Sequence, residues 1–191
     1  MLTMINQDHP LRSATEQVIR EAYRREHNAR LESFPTCLVA WIVESEIVCA
    51  ASLRFRPDGF FSDCYLDHPI EDIIGHHVGG APNPNTLVEV GNLAAVRPHD
   101  IGGFIHEIIA FAEKKGMLWA FFTATARLRA FLRRGGLPLI ELAVADPARV
   151  KDVQIWGDYY RQDPRVMLVG KHMIKSLDQS PPVELARLSH A

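Results

Sequence analysis

The sequence holds no C-x-x-C pair and only three cysteines, Cys37, Cys49 and Cys64. An odd count without paired spacing argues against a disulfide framework and predicts buried free thiols in a reducing compartment. Neither sign of charge dominates. With 21 basic and 23 acidic residues the formal net charge is −2, so no global field draws the chain to nucleic acid or to an anionic bilayer. No apolar run approaches the roughly 20 residues that span a membrane. Residues 1–9 show no basic stretch ahead of an apolar one, so no signal peptide is expected. A basic amphipathic helix that would lie on a membrane surface is also missing. G-x-S-x-G, Walker-loop and dinucleotide signatures are absent, which removes the serine-hydrolase and kinase readings. His76 and His77 are adjacent but have no carboxylate or cysteine partners at ligand spacing, so no metal is expected. A cytoplasmic location, with neither nucleic acid nor membrane as partner, is the expectation.

What remains is ordinary globular material: 47% hydrophobic and 23% charged over 191 residues, enough for one domain with a real core. Residues 1–176 are expected to form that domain, and residues 177–191 a polar, proline-containing tail that frays. Ser13-Ala14-Thr15-Glu16 has the capping-box spacing. Val18, Ile19, Ala22 and Tyr23 follow at helical intervals and predict an amphipathic helix ending near His27-Asn28. Residues 36–43 and 46–55 are rich in β-formers and joined by Glu44-Ser45, which predicts an antiparallel hairpin. Pro57-Asp58-Gly59 signals a turn. Residues 60–66 then read as a third strand, 67–74 as short helix or irregular chain, and 79–85 as a loop.

The stretch Leu87-Val88-Glu89-Val90-Gly91-Asn92-Leu93-Ala94-Ala95-Val96-Arg97 predicts a central strand. It carries one acid and one amide inside an apolar run. An unpaired carboxylate is expensive to bury, so Glu89 is the leading candidate for chemistry. Burial would raise its pKa toward the range useful to a general base. Asn92 either hydrogen-bonds a substrate or marks a bulge that splays the strand from its neighbour. Phe104, Ile105, Ile108, Ile109 and Ala112 form a helical stripe that Lys114-Lys115-Gly116 terminates. Residues 117–123 form a continuous apolar run, as expected of a strand buried on both faces in parallel pairing. Residues 125–134 predict a short helix, with Arg127, Arg129, Arg133 and Arg134 on its solvated face. Strands over 138–144 and 166–173, with a helical turn at 147–153 between them, complete the order. A meander leading into β-α-β units predicts a single-domain mixed α/β sheet with helices on both faces.

That order is similar to the acetyltransferase-like (GNAT-type) fold, which acyl-homoserine-lactone synthases share. A narrower resemblance rests on Glu89-Val90-Gly91-Asn92-Leu93-Ala94, on Trp119-Ala120-Phe121-Phe122-Thr123-Ala124-Thr125, and on Trp156-Gly157-Asp158-Tyr159-Tyr160 with Asp163-Pro164 beyond. Kept in order over residues 9–173, these segments resemble the thermostable hemolysin family. Ala51-Ser52-Leu53-Arg54 and the glutamate strand also resemble the lactone synthases. The N-terminal aromatic and paired-aspartate pattern of those synthases has no match in residues 20–45.

The resemblance implies an acyltransferase-like enzyme that moves an acyl group from a thioester, acyl-CoA or acyl-carrier protein, to the amine of a small molecule. It implies catalytic roles for Glu89 and Asn92. The fold's usual tyrosine acid is missing from the helix at 126–134, so Tyr159 or Tyr160 would take its place from another element, with Tyr160 the catalytic candidate. Arg54, Leu93, Ala94, Ala95, Trp156 and Tyr159 would contact substrate. The fold's pyrophosphate loop, R/Q-x-x-G-x-G/A, aligns with Arg97-Pro98-His99-Asp100-Ile101-Gly102. That gives Arg97, Gly102 and Gly103 as cofactor contacts, with Asp100 in place of a glycine. No tightly bound cofactor is expected, and an acyl-carrier protein or a second copy in a homodimer would be the protein partners. Two other readings follow from the same resemblance: lactone-synthase-like chemistry on an amino-acid-derived or S-adenosylmethionine acceptor, and a membrane-active hemolysin.

Overall fold

The computed structural model describes residues 1–175; the expected tail at 177–191 lies outside the described residues. The central feature is a seven-stranded mixed sheet. Its strands are β1 (Leu2–Ile5), β2 (Cys37–Val43), β3 (Glu46–Phe55), β4 (Leu87–Ala95), β5 (Trp119–Ala124), β6 (Ile140–Val144) and β7 (Arg165–Gly170). They lie in the order β1-β2-β3-β4-β5-β7-β6. β4 and β5 are parallel, and every other neighbouring pair is antiparallel. The parallel environment expected for β5 therefore exists on one side only, because β7 inserts beside it in the opposite direction.

The described residues also form five α-helices: α1 (Arg12–His27), α2 (Ile70–Val78), α3 (Ile101–Lys114), α4 (Ala126–Arg134) and α5 (Lys171–Lys175). The β2–β3 hairpin turns on Glu44 and Ser45, whose φ angles are 49° and 69°. Two consecutive left-handed residues match the right-handed twist of the strands they join. On one face of the sheet, α1 buries Ile19, Ala22 and Tyr23 against Ile5, Leu38, Ala50 and Ala94. On the same face α2 buries Ile70 and Ile74 near Leu87, Phe121 and Leu168. On the opposite face α3 sets Phe104 and Ile108 against Val39, Ala51, Leu53 and Val88. Ile105 of α3 meets Leu132 of α4 over Val169. Each fully buried aliphatic side chain of this kind contributes roughly 1.5–3 kcal/mol.

Several expectations are corrected. The capping box at Ser13–Glu16 does not cap, because the helix begins earlier. The His9 imidazole accepts the Leu11 amide at 3.1 Å, Thr15 donates its hydroxyl back to the Leu11 carbonyl at 2.8 Å, and Glu16 sits between Arg12 and Arg20. Residues 60–66 are not a strand. Phe61–Tyr65 form a 3₁₀ turn, because two of the amides a strand would spend on a ladder are taken by a carboxylate, as described below. β1 was not anticipated at all. Arg129 does not face solvent: it is buried, and its guanidinium donates to Ala124 O, Asp163 O and Asp163 Oδ2. Of the three thiols, Cys49 is buried, Cys37 is half-buried and Cys64 is exposed.

Candidate active site

The middle of the sheet parts where β4 leaves β5. The two strands pair only at Leu87–Trp119, Val88–Ala120 and Glu89–Phe121. Beyond Glu89, β4 keeps its antiparallel partner β3 but takes one extra residue: Ser52 pairs with Gly91 and Ala50 with Ala94. This is a β-bulge, and Asn92 sits in it at φ 49°. A bulge bends its strand and increases the local twist. Before it, Leu87 and Glu89 face α1 and α2; after it, Ala94 takes that face while Leu93 and Ala95 turn to α3. Ser52 Oγ donates to Asn92 Oδ1 at 2.9 Å across the bulge.

The parted strands open a groove of about 730 Å³ that runs from α1 through the sheet to α3 and α4. Leu93, Ala94, Ile105, Phe122, Leu128 and Phe131 supply much of its apolar wall. A second hollow of about 170 Å³ lies beside it, on the α1 side. Glu89, Arg54, Trp156 and Phe61 belong to the second hollow, whereas Asn92, Thr123 and Tyr159 belong to both.

Glu89 is 3% exposed. Its Oε2 accepts the Phe61 amide at 2.6 Å, and its Oε1 accepts the Ser62 amide at 2.9 Å and the Ser62 hydroxyl at 2.6 Å. Burial pushes its pKa up, and this outweighs the three hydrogen bonds and the Arg54 cation, which act the other way. Arg54 is directly opposite in the β3–β4 register, yet the carboxylate is turned to the loop amides. The 3₁₀ turn that replaced the expected strand is thus the cradle of the candidate base. Neither Phe61 nor Ser62 was singled out from the sequence; the polar residues Ser62 and Asp63 in a supposed strand were the available signal.

The remaining predicted residues divide by location. Leu93, Ala94 and Ala95 line the groove. Trp156 and Tyr159 belong to an aromatic cluster with Tyr23, and the Tyr159 hydroxyl donates to Thr123 O at 3.0 Å. Tyr160 lines neither hollow. Its hydroxyl meets that of Tyr65 at 2.6 Å, and burial pushes its pKa up to about 12. Arg97, Gly102 and Gly103 are also absent from the walls of both hollows. Arg97 is paired with Asp100 at 3.1 Å. A Cβ on Gly103 would lie 2.7 Å from the Trp41 ring, so this glycine permits close packing of α3 on β2. Asp100 precedes α3 but makes no side-chain cap. Among the described residues no cluster of three or more His, Cys, Asp or Glu side chains is arranged to hold a metal, and no helix is long and apolar enough to cross a membrane.

The fold has solved relatives. An N-acyl amino acid synthase from uncultured soil microbes, FeeM, superposes with a TM-score of 0.63 at 11% identity, covering 98% of each chain. The CoA-dependent acyl-homoserine lactone synthase BjaI, determined with SAM and isopentyl-CoA, gives 0.61 at 11% identity over 99% of this chain and 98% of its own. The acyl-homoserine lactone synthase LasI gives 0.59 at 8% identity over 97% and 93%. At such identities the likeness establishes the GNAT-like fold. No curated protein is significantly similar to the chain in sequence. Residues 5–173 match the family model described as thermostable hemolysin, and the chain belongs to the thermostable hemolysin family.

Proposed function

We propose that this protein is an acyltransferase that moves an acyl group from a thioester to the amine of a small molecule. One observation carries the reading: a buried carboxylate of raised pKa, Glu89, stands where a bulge parts two strands beside a groove of about 730 Å³. An amine nitrogen in the small hollow attacks the thioester carbonyl. The C–N bond forms, the C–S bond breaks, the thiolate leaves, and the amine proton passes to Glu89. A base whose pKa lies nearer neutrality than an ordinary carboxylate is better matched to that transfer.

The groove supports the donor. Past Glu89 the β5-facing edge of β4 has no strand partner among the described residues, so the backbone of Val90 to Ala95 can pair with the amides of an extended pantetheine arm, as an added strand would. The apolar wall contributed by α3 and α4 suits an acyl chain. Arg97 is already paired with Asp100, so the pyrophosphate contact expected from the sequence is weakened, and an acyl-carrier thioester stands beside acyl-CoA as donor. FeeM and BjaI are named for acyl transfer, which agrees with this reading.

The test is thermal shift against acyl-coenzyme A of graded chain length and against acylated carrier protein, followed by thiol release in the presence of primary amines. Stabilisation by one donor class and turnover abolished by Glu89→Gln are expected. No shift with any thioester, together with prompt leakage of dye-loaded vesicles at sub-micromolar protein, would replace this reading with a lytic one.

A further inference from the structure

The carboxylate and the groove do not share a wall. Glu89 borders the small hollow only, whereas Thr123 borders both hollows. Between them stands Ser62, 1% exposed. Its hydroxyl lies 2.6 Å from Glu89 Oε1 and 3.0 Å from Thr123 Oγ1. The register explains the placement. Phe121 pairs with Glu89 at the last joined position of β4 and β5, and Thr123, two residues on, projects from the same face of β5.

The direction of this chain follows from the chemistry of its end. An ionised carboxylate only accepts hydrogen bonds, so the Ser62 proton points at Glu89. Ser62 Oγ must then receive its second bond from the Thr123 hydroxyl. The Thr123 oxygen is left with its lone pairs facing the junction of the hollows. When Glu89 is protonated the whole chain reverses, and Thr123 presents a proton instead.

We infer that Thr123 and Ser62 form a proton relay that connects Glu89 to the reacting atoms. This rests on the acyl-transfer reading and assigns two positioning residues to it. As the amine attacks, its proton passes to Thr123 Oγ1, the Thr123 proton to Ser62 Oγ, and the Ser62 proton to Glu89 Oε1. The net change is one proton from nitrogen to carboxylate, with both hydroxyls restored. In the reversed state the same chain returns that proton to the departing thiolate, which resets Glu89. The Tyr159 hydroxyl, donating to Thr123 O, holds the β5 end of the relay in place.

The experiment measures octanoyl-coenzyme A thiol release with a panel of α-amino acids and simple primary amines, for the wild type and for Glu89→Gln, Ser62→Ala, Thr123→Val and Thr123→Ser. Thr123→Val conserves shape and removes the hydroxyl. It is expected to lower kcat by about 10²-fold or more, the range of a lost proton transfer, with KM nearly unchanged, while Thr123→Ser stays within a few-fold. A second readout needs no substrate: the Glu89 carboxyl band in infrared pH titration. Ser62→Ala removes a donor to the anion and should move the midpoint upward, and Thr123→Val should move it less in the same direction. An inactive Glu89→Gln beside a folded Thr123→Val with kcat within twofold of wild type, and an unmoved band, would overturn the relay and leave the base assignment standing. A fully active Glu89→Gln would overturn both.

Discussion

Ser52 and Asn92 meet across the bulge, the serine hydroxyl donating to the asparagine carbonyl oxygen at 2.9 Å while Asn92 holds φ 49°. The left-handed conformation costs an ordinary L-residue roughly 1–2 kcal/mol, and asparagine is among the few that adopt it readily. A neutral hydrogen bond adds about 1 kcal/mol. Asn92→Ala loses the bond and meets the strain, so a loss of about 2 kcal/mol is expected in urea unfolding. Asn92→Gly loses only the bond and should be the more stable of the two variants. The reverse order would show that the bulge does not depend on backbone conformation at residue 92.

Glu89 sets a pH dependence with a definite sign. Burial raises its folded pKa above the ordinary 4.5, so the folded state holds more protons than the unfolded one between those two values. Folding stability attributable to this group therefore falls as pH rises through that window. On the proposed role activity runs the other way, because a general base must be ionised to accept a proton. The kcat/KM profile should show an acid limb with its midpoint above 4.5, and Glu89→Gln should abolish the limb with the activity. A limb at the ordinary carboxylate value would contradict the assignment.

Arg129 fastens the end of β5 to the segment leading into β7. Its Nη1 donates to Ala124 O at 2.8 Å and its Nη2 to Asp163 Oδ2 at 2.7 Å. Arg129→Met removes a buried charge-assisted cluster whose bonds are worth about 1.5–3 kcal/mol each before compensation. An expected net loss of about 2–4 kcal/mol is read from chemical denaturation. Arg129→Lys should recover little of it, because an ammonium cannot reproduce the planar fork.

Gly157 offers a sharper contrast. A Cβ there would lie 2.3 Å from the His27 carbonyl oxygen and 2.6 Å from that of Asn28. Backbone atoms at the end of α1 cannot swing aside, so Gly157→Ala should cost about 3 kcal/mol or more. Gly59 has φ 68° but nothing within 4 Å of an added Cβ, and Gly59→Ala should cost only about 1 kcal/mol. Equal melting shifts for the two variants would refute the contact argument.

The sequence made local pattern legible and left most tertiary replacement hidden. The β2–β3 hairpin, α3 and its glycine stop followed from alternation and helical spacing, whereas the cap of α4, where the Thr125 hydroxyl accepts the Leu128 amide at 3.4 Å, was not read from the sequence. Glu89 was legible because an acid in an apolar run needs a reason. Its cradle was not, because the amides of Phe61 and Ser62 carry no sequence signature and come from 27 or 28 residues away. Arg129 read as solvated because helical spacing put it on the charged face, while its acceptors lie on β5 and a loop that periodicity cannot place. The expected Ser13 cap fails because α1 begins earlier, with Leu11 at its N-cap position and no side-chain cap, and the His9 imidazole accepts the Leu11 amide.

Only Leu87, Val88 and Glu89 join β4 to β5. The four strands before that seam and the three after it are therefore two plates sharing a short hinge. A molecule lying along the free edge of β4 and touching Phe122 of β5 would splint them. Occupancy should consequently stiffen the whole sheet, and amide exchange in β6 and β7, the strands beyond β5, should slow when the groove fills.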